Sequence, residues 1–298
     1  MKPIAFVGAA FSIGGADTGS RLGCTFYRHN GQKKPKTAKW HRTIWQRTHH
    51  LQAYPQSVAP IRQACQQLAH HVQQRRQGYF PVVIGGDHSC AIGTWSGMTQ
   101  GKPPIGLLWI DAHLDSHTPT TSQSKRVHGM PLAVLLGQGD KQLMLQQRAV
   151  VDRRYTVVFG VRSFEEGEPE LMQQLKVRYY TMVEIKQRGL NVCLREAWHY
   201  VAACPQGFGV SLDLDGIDPS FAPAVSVPEP NGLYLPTLLK TLKLLPKRKL
   251  KAVEVVEFNP YCQGNRRTLT VLSALVINLV PTSKKLKINR VQTENRSC

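Results

Sequence analysis

The sequence predicts a single α/β domain, a mostly parallel sheet covered on both faces by helices. Three observations carry this. Short apolar runs rich in β-branched residues alternate with longer stretches of helical period. The runs are nearly continuous in apolar residues, as befits strands buried on both faces. No repeat, low-complexity linker or composition shift divides the 298 residues, so residues 1–298 read as one domain with a basic C-terminal tail at 283–298.

The elements follow in order. A first strand at 4–8 (Ile-Ala-Phe-Val-Gly) opens the chain, too short an apolar stretch for a signal-peptide core. A helix at 57–76 leads to a strand at 80–84, and a helix at 89–100 leads to the strand 105–110. A short helix at 129–136 precedes the strand 156–161, and a helix at 166–175 precedes the strand 177–180. One helix is expected over 181–203, then the strand 208–212, a helix at 233–243, the strand 250–258 and a last helix at 266–279. Strands separated by helices in this way form βαβ units.

Composition excludes several classes. Hydrophobic residues are 42% of the chain, enough for a core, and no apolar run reaches the length of a membrane span. Seven cysteines, an odd number and widely spaced, fit neither a zinc ribbon nor a disulfide framework and point to a reducing cytoplasm. Thirty-eight Lys and Arg against 19 Asp and Glu give a net charge of +19, which pulls toward anionic partners. Basic residues with interleaved aromatics occur at 28–45, and Lys284, Lys285 and Lys287 form a second cluster. No helix-turn-helix, RNA-binding sheet signature or P-loop accompanies them, so they read as a solvated loop and tail and nucleic acid is not an expected partner.

Four strand ends run directly into polar clusters: Gly-Gly-Asp87-His88-Ser89, Asp111-Ala-His113-Leu-Asp115, Ser211-Leu-Asp213-Leu-Asp215 and Glu257-Phe-Asn-Pro. Sites in open α/β sheets lie outside the carboxyl ends of the strands. Asp111, His113 and Asp115, spaced by two, fall on one side of an extended segment, as do Asp213 and Asp215. With His88 they make four carboxylates and two imidazoles and no thiolate, too acidic and too large a set for one tetrahedral zinc. It suits two divalent ions of the Mn²⁺ class, which together activate water for metal-assisted hydrolysis.

These four motifs, in this order and spacing, resemble the signatures of the ureohydrolase family, the arginases and agmatinases, over residues 3–280. The resemblance implies a three-layer α/β/α sandwich around a sheet of about eight strands, two Mn²⁺ ions, and a trimer or hexamer. It implies one ion on His88, Asp111, Asp115 and Asp213 and the other on Asp111, His113, Asp213 and Asp215, with Asp115 also accepting a proton from the nucleophile. His128 matches the family's mobile proton-shuttling histidine, and Glu257 the carboxylate that pairs with the guanidinium.

Substrate specificity follows from the next loop. His117 stands where arginases hold the substrate's α-carboxylate with an Asn and agmatinases usually have Tyr, and Ser122, Ser124, Lys125 and Arg126 follow. Glu165 or Glu166 takes the position of the α-amino contact, while Val227 replaces an arginase Thr. The expectation is arginine hydrolysis to ornithine and urea. The alternatives are agmatine or formiminoglutamate as substrate, or a weakly active relative binding nucleic acid or a protein through its basic surface. Outside the cluster, Asp87 reads as a helix cap, Asp218 as a turn residue, and Glu254 as a solvent-facing or ion-paired position.

Overall fold

The computed structural model describes residues 2–31, 35, 38–47 and 50–281. The basic residues Lys33, Lys34 and Lys36, His49, and the tail 283–298 lie outside the described residues.

Among the described residues eight strands form one sheet: β1 (Ile4–Ala10), β2 (Ala38–Trp45), β3 (Phe80–Gly85), β4 (Ile105–Ile110), β5 (Val151–Val161), β6 (Arg178–Thr181), β7 (Phe208–Asp213) and β8 (Leu250–Val256). Their order is β2-β1-β3-β8-β7-β4-β5-β6, and every pairing is parallel. Among the described residues nine helices cover it: α1 (Gly23–Asn30), α2 (Val58–Gly78), α3 (Ala91–Thr99), α4 (Pro131–Leu135), α5 (Glu168–Leu175), α6 (Met182–Arg188), α7 (Leu190–Ala202), α8 (Leu235–Leu244) and α9 (Asn265–Leu279).

The continuous apolar strands feed two cores at once. On β4, Leu108 and Ile110 join one cluster while Leu107 and Trp109 join the other; on β5, Val157 and Phe159 part from Val158 in the same way. The first cluster includes apolar residues of α1 and α6 to α9, the second those of α2 to α5. This is the α/β/α layering expected of a parallel sheet. Among the described residues no helix is long and apolar enough to cross a membrane.

Some elements differ from the sequence expectation. Residues 38–45, read as part of a basic loop, form the edge strand β2 beside β1. Its Lys39 and Arg42 are exposed, which hides the strand signal and suits an unprotected edge, while Trp40 stacks on Phe6 with ring centroids 5.8 Å apart. The helix expected over 181–203 is two helices, because Gly189 adopts φ +93° between α6 and α7. Helix α1 was not expected, and the 129–136 helix is reduced to α4 after a single 3-10 turn at Val127–Gly129.

At the end of α8 the Lys247 ammonium donates to the carbonyls of Leu242 and Leu245 and lies over the Trp198 ring, and burial pushes its pKa from 10.5 to about 8. The unfolded chain therefore holds this proton more tightly, so this group's cost is fully present below pH 8 and is relieved as pH rises to 10.5. Lys247→Met is expected to reduce the rise of Tm, or steepen its fall, across that window relative to the parent. Identical Tm–pH slopes in parent and variant would refute it.

Candidate active site

The four strands that end in polar motifs, β3, β8, β7 and β4, are consecutive neighbours in the middle of the sheet. Their carboxyl ends therefore meet, and a cleft of about 360 Å³ opens there.

After β3 the chain must turn against β1. A Cβ on Gly86 would lie 1.9 Å from the Phe11 carbonyl oxygen, so only glycine fits. Asp87 caps the following turn by accepting from the Ser89 amide and hydroxyl, the role its sequence position suggests. His88 then points Nδ1 into the cluster, 3.2 Å from Asp111 Oδ2, 2.9 Å from Asp115 Oδ2 and 3.2 Å from Asp213 Oδ2. His113 aims its own Nδ1 at a second set, 3.4 Å from Asp111 Oδ1 and 3.2 Å from Asp215 Oδ2. Asp111 faces both cages, one carboxylate oxygen to each. Donor atoms of His88, Asp111 and Asp213 lie within 4.8 Å of one another, as do those of Asp111, His113 and Asp215.

The carboxylates are held by a fixed frame. Trp109 Nε1 donates to Asp111 Oδ2 at 2.9 Å and the His113 amide to Asp111 Oδ1 at 2.7 Å. The Ala112 amide donates to Asp215 Oδ1 and the Asp215 amide to Asp213 Oδ1. Asp115 and Glu257 both take left-handed backbone, at φ +49° and +65°, a costly conformation for Glu. Glu257 keeps it because its amide donates to the Gly86 carbonyl while Oε1 accepts from the His88 amide.

The electrostatics favour cations in these cages. Burial and the neighbouring Asp111 push Asp115 up to about 7; burial with Asp215 and Asp111 raises Asp213, and burial also raises Asp215. Asp111, though buried, is held low by His113 and His88. Burial opposes a charge on His88, yet the surrounding Asp111, Asp115 and Asp213 raise its pKa well above normal. His88 Nδ1 is buried without a hydrogen bond of good geometry. Four crowded carboxylates and an orphaned ring nitrogen are a donor set for two divalent oxygen- and nitrogen-loving ions.

His128 and Glu257 sit at the same cleft, Nδ1 to Oε1 3.6 Å. Burial lowers the His128 pKa, but the hydrogen bond and charge of Glu257, with the charges of Asp115 and Asp87, more than reverse this and raise it above the ordinary value. At the mouth, His117 Nε2 lies 3.4 Å from Glu165 and 3.3 Å from Glu168. Ser124 lines the cleft, but two other expected contacts do not. Ser122 is buried, its hydroxyl accepting from the Lys125 amide, and Glu166 is exposed outside the cleft. Ser122 is spent on the local turn that leads to Lys125. Arg126 reaches the cleft with its guanidinium donating to the Gly15 carbonyl.

Several participants escaped the sequence. Glu168 is buried at the start of α5, accepts from the Ser116 and Glu165 amides and braces His117. Glu229 stands 3.6 Å from His113 Nε2, on a loop whose carbonyls Arg162 clamps. Glu254, expected to face solvent or an ion pair, is fully buried. It accepts from Ser211 Oγ at 2.8 Å, Trp95 Nε1 at 3.1 Å and the Thr94 hydroxyl. A central parallel strand has no solvent face, which is why the period-two expectation fails there. Ser211, its hydrogen given to Glu254, accepts from His88 Nε2–H at 3.0 Å and so leaves the His88 Nδ1 lone pair for the cage.

Residues 2–280 match the family model described as "Arginase family". The arginase of Bacillus caldovelox is 33% identical over 294 residues, spanning 94% of this chain and 98% of its own. Human Arginase-1 is 32% identical over 235 residues, 76% of this chain and 72% of its own. The solved structure of the Bacillus caldovelox arginase superposes with a TM-score of 0.87 at 32% identity, covering 96% of this chain and all of that one. The fold, the residues gathered at the sheet's carboxyl edge and these likenesses agree: the chain belongs to the arginase family and is a ureohydrolase.

Proposed function

We propose that this protein is an arginase, hydrolysing L-arginine to L-ornithine and urea with two Mn²⁺ ions. The observation that carries the reading is the pair of cages sharing Asp111, with His128 and Glu257 across the same cleft. His88, Asp111, Asp115 and Asp213 would hold one ion, and Asp111, His113, Asp213 and Asp215 the other. Such a pair supplies Lewis-acid charge and a water deprotonated near neutral pH.

The chain's own residues do the rest. Glu257 accepts from the guanidinium N–H groups and fixes the planar group in the cleft. Water adds to the guanidinium carbon, the bond from that carbon to the chain nitrogen breaks, and the products are urea and an amine. Asp115, beside His88 in the same cage, takes the proton shed by the water. His128, its pKa raised above the ordinary value, hands a proton to the leaving amine. His117 and Ser124 grip the substrate carboxylate, and Glu165 with Glu168 receives its ammonium. Agmatine is the second reading, favoured by the surplus of carboxylates, Glu229 among them, at the mouth. The reading includes a cytoplasmic homo-oligomer, a trimer or hexamer, testable by light scattering; the six described cysteines are all unpaired, as in a reducing compartment.

The deciding measurement is product release from arginine, agmatine, guanidinobutyrate and formiminoglutamate after Mn²⁺ loading, urea for the first three and formamide for the last. Arginine should be preferred by at least about tenfold in kcat/KM; preference for agmatine overturns the substrate, and no turnover of any overturns the enzyme. His117→Ala should raise KM for arginine about tenfold while kcat falls little, the pattern of a lost grip on a non-reacting group. An equal loss in kcat with KM unchanged would contradict that role.

A further inference from the structure

The sheet is polarised. Acids collect at the carboxyl ends of its strands, and a second, larger cleft of about 1530 Å³ lies at the opposite end, against the first residues of β3, β4 and β8. Its lining contains seven Lys and Arg and no Asp or Glu. Three of these cations are satisfied by backbone carbonyls: Lys2 by Arg76, Arg76 by Met98 and Gln100, and Lys247 by Leu242 and Leu245. The other four, Lys102, Lys243, Arg248 and Lys251, are exposed, and none of their side chains belongs to an ion pair or hydrogen bond among the described residues.

The cationic surface continues beyond the cleft. Tyr79, in its wall, packs edge-on against His41 of β2 with centroids 4.8 Å apart. Burial and the charges of Arg75 and Lys39 depress the pKa of that histidine, so cations flank it from two elements.

Like charges gathered without counterions repel, and an anionic ligand relieves that cost. A stripe running from β2 into a cleft of this size exceeds what one small anion needs, and a concave surface does not lie on a flat membrane. Among the described residues no recognition helix or two-stranded ribbon stands out to enter a duplex groove. The cleft does offer apolar wall at Tyr79, Met98, Leu244 and Pro246 between the cations, the combination that accommodates unpaired bases beside a phosphate chain. We propose that the amino-terminal end of the sheet binds single-stranded nucleic acid, with phosphates along Lys102, Lys243, Arg248 and Lys251 and bases against the apolar wall. The site is remote from the acidic cleft, so occupancy of one leaves the other open.

The test uses the full-length, Mn²⁺-loaded protein and a fluorescent oligouridylate of about 20 nucleotides, read by anisotropy. Binding should saturate, and with four phosphates neutralised log K should fall against log salt with a slope of about −3. The triple variant Lys102→Glu, Arg248→Glu, Lys251→Glu should bind at least about tenfold more weakly with a flatter slope. A triple variant of equal charge change, Lys186→Glu, Arg195→Glu, Arg266→Glu, alters exposed cations away from both clefts and should stay within about threefold of the parent. Equal loss in the two triples assigns binding to net charge and overturns the proposal. So does a duplex of the same length binding as tightly, or the absence of saturable binding at about 50 mM salt.

Discussion

Asp111→Asn is expected to remove both metal-binding events at once and lower turnover by at least about a thousandfold. Asp111 turns one carboxylate oxygen to each cage, Oδ2 toward His88 and Oδ1 toward His113. An amide is neutral and presents one oxygen, so one cage loses its donor and both lose the shared charge. Asp115→Asn touches only the His88 cage and should leave the second binding event in place. Calorimetric Mn²⁺ titration of the apoproteins separates the cases: two equivalents in the parent, about one in Asp115→Asn and none of comparable affinity in Asp111→Asn. The asparagine also leaves one donor, Trp109 Nε1 or the His113 amide, facing an NH₂ group, a cost of about 1–3 kcal/mol. At a free ion concentration of about 100 times Kd, the parent should gain about 2.7 kcal/mol from each ion and Asp111→Asn almost nothing. Retention of both equivalents by Asp111→Asn would refute the shared-ligand reading.

How much of this was legible beforehand depended on where each residue sits relative to a strand end. His88, Asp111, His113, Asp115, Asp213 and Asp215 were readable because each follows an apolar run whose hydrophobic period stops abruptly, leaving polar side chains that a core would not admit. Their neighbours could have been found by the same logic: Trp109 and Ser211 precede Asp111 and Asp213 by two residues, the spacing that puts side chains on one face of a strand. What sequence could not give was partnership. Nothing local distinguishes Glu168, which braces His117, from the nearby Glu166, which is exposed; the difference is made by where the turn into α5 aims each carboxylate. Strand β2 was hidden for a related reason, since a sheet edge with one neighbour tolerates the Lys, His and Arg that read as loop.

Glu254 is the residue for which tertiary context most overrides the local pattern, and its replacement is expected to have the second-largest effect. Its carboxylate is the common acceptor for Ser211, Trp95 and Thr94 inside the sheet–helix layer. Glu254→Leu fits the volume but strands three buried donors, each worth about 1–3 kcal/mol, so a loss of about 3–5 kcal/mol is expected. That variant alone would not separate folding from function. Glu254→Gln keeps the shape and one acceptor oxygen, and should lose about 1–3 kcal/mol while remaining folded. Its informative consequence lies at His88: with Ser211 no longer sure of an acceptor, Nε2–H loses its fixed partner and the ring its set tautomer. Metal affinity of the His88 cage should then fall about tenfold or more, while the His113 cage, whose own imidazole lies outside this chain of bonds, is weakened less. Equal weakening of both cages, or destabilisation with both affinities intact, would reduce Glu254 to a packing residue. The expected asymmetry would mean instead that a carboxylate two hydrogen bonds from the cage sets the ring nitrogen that faces it.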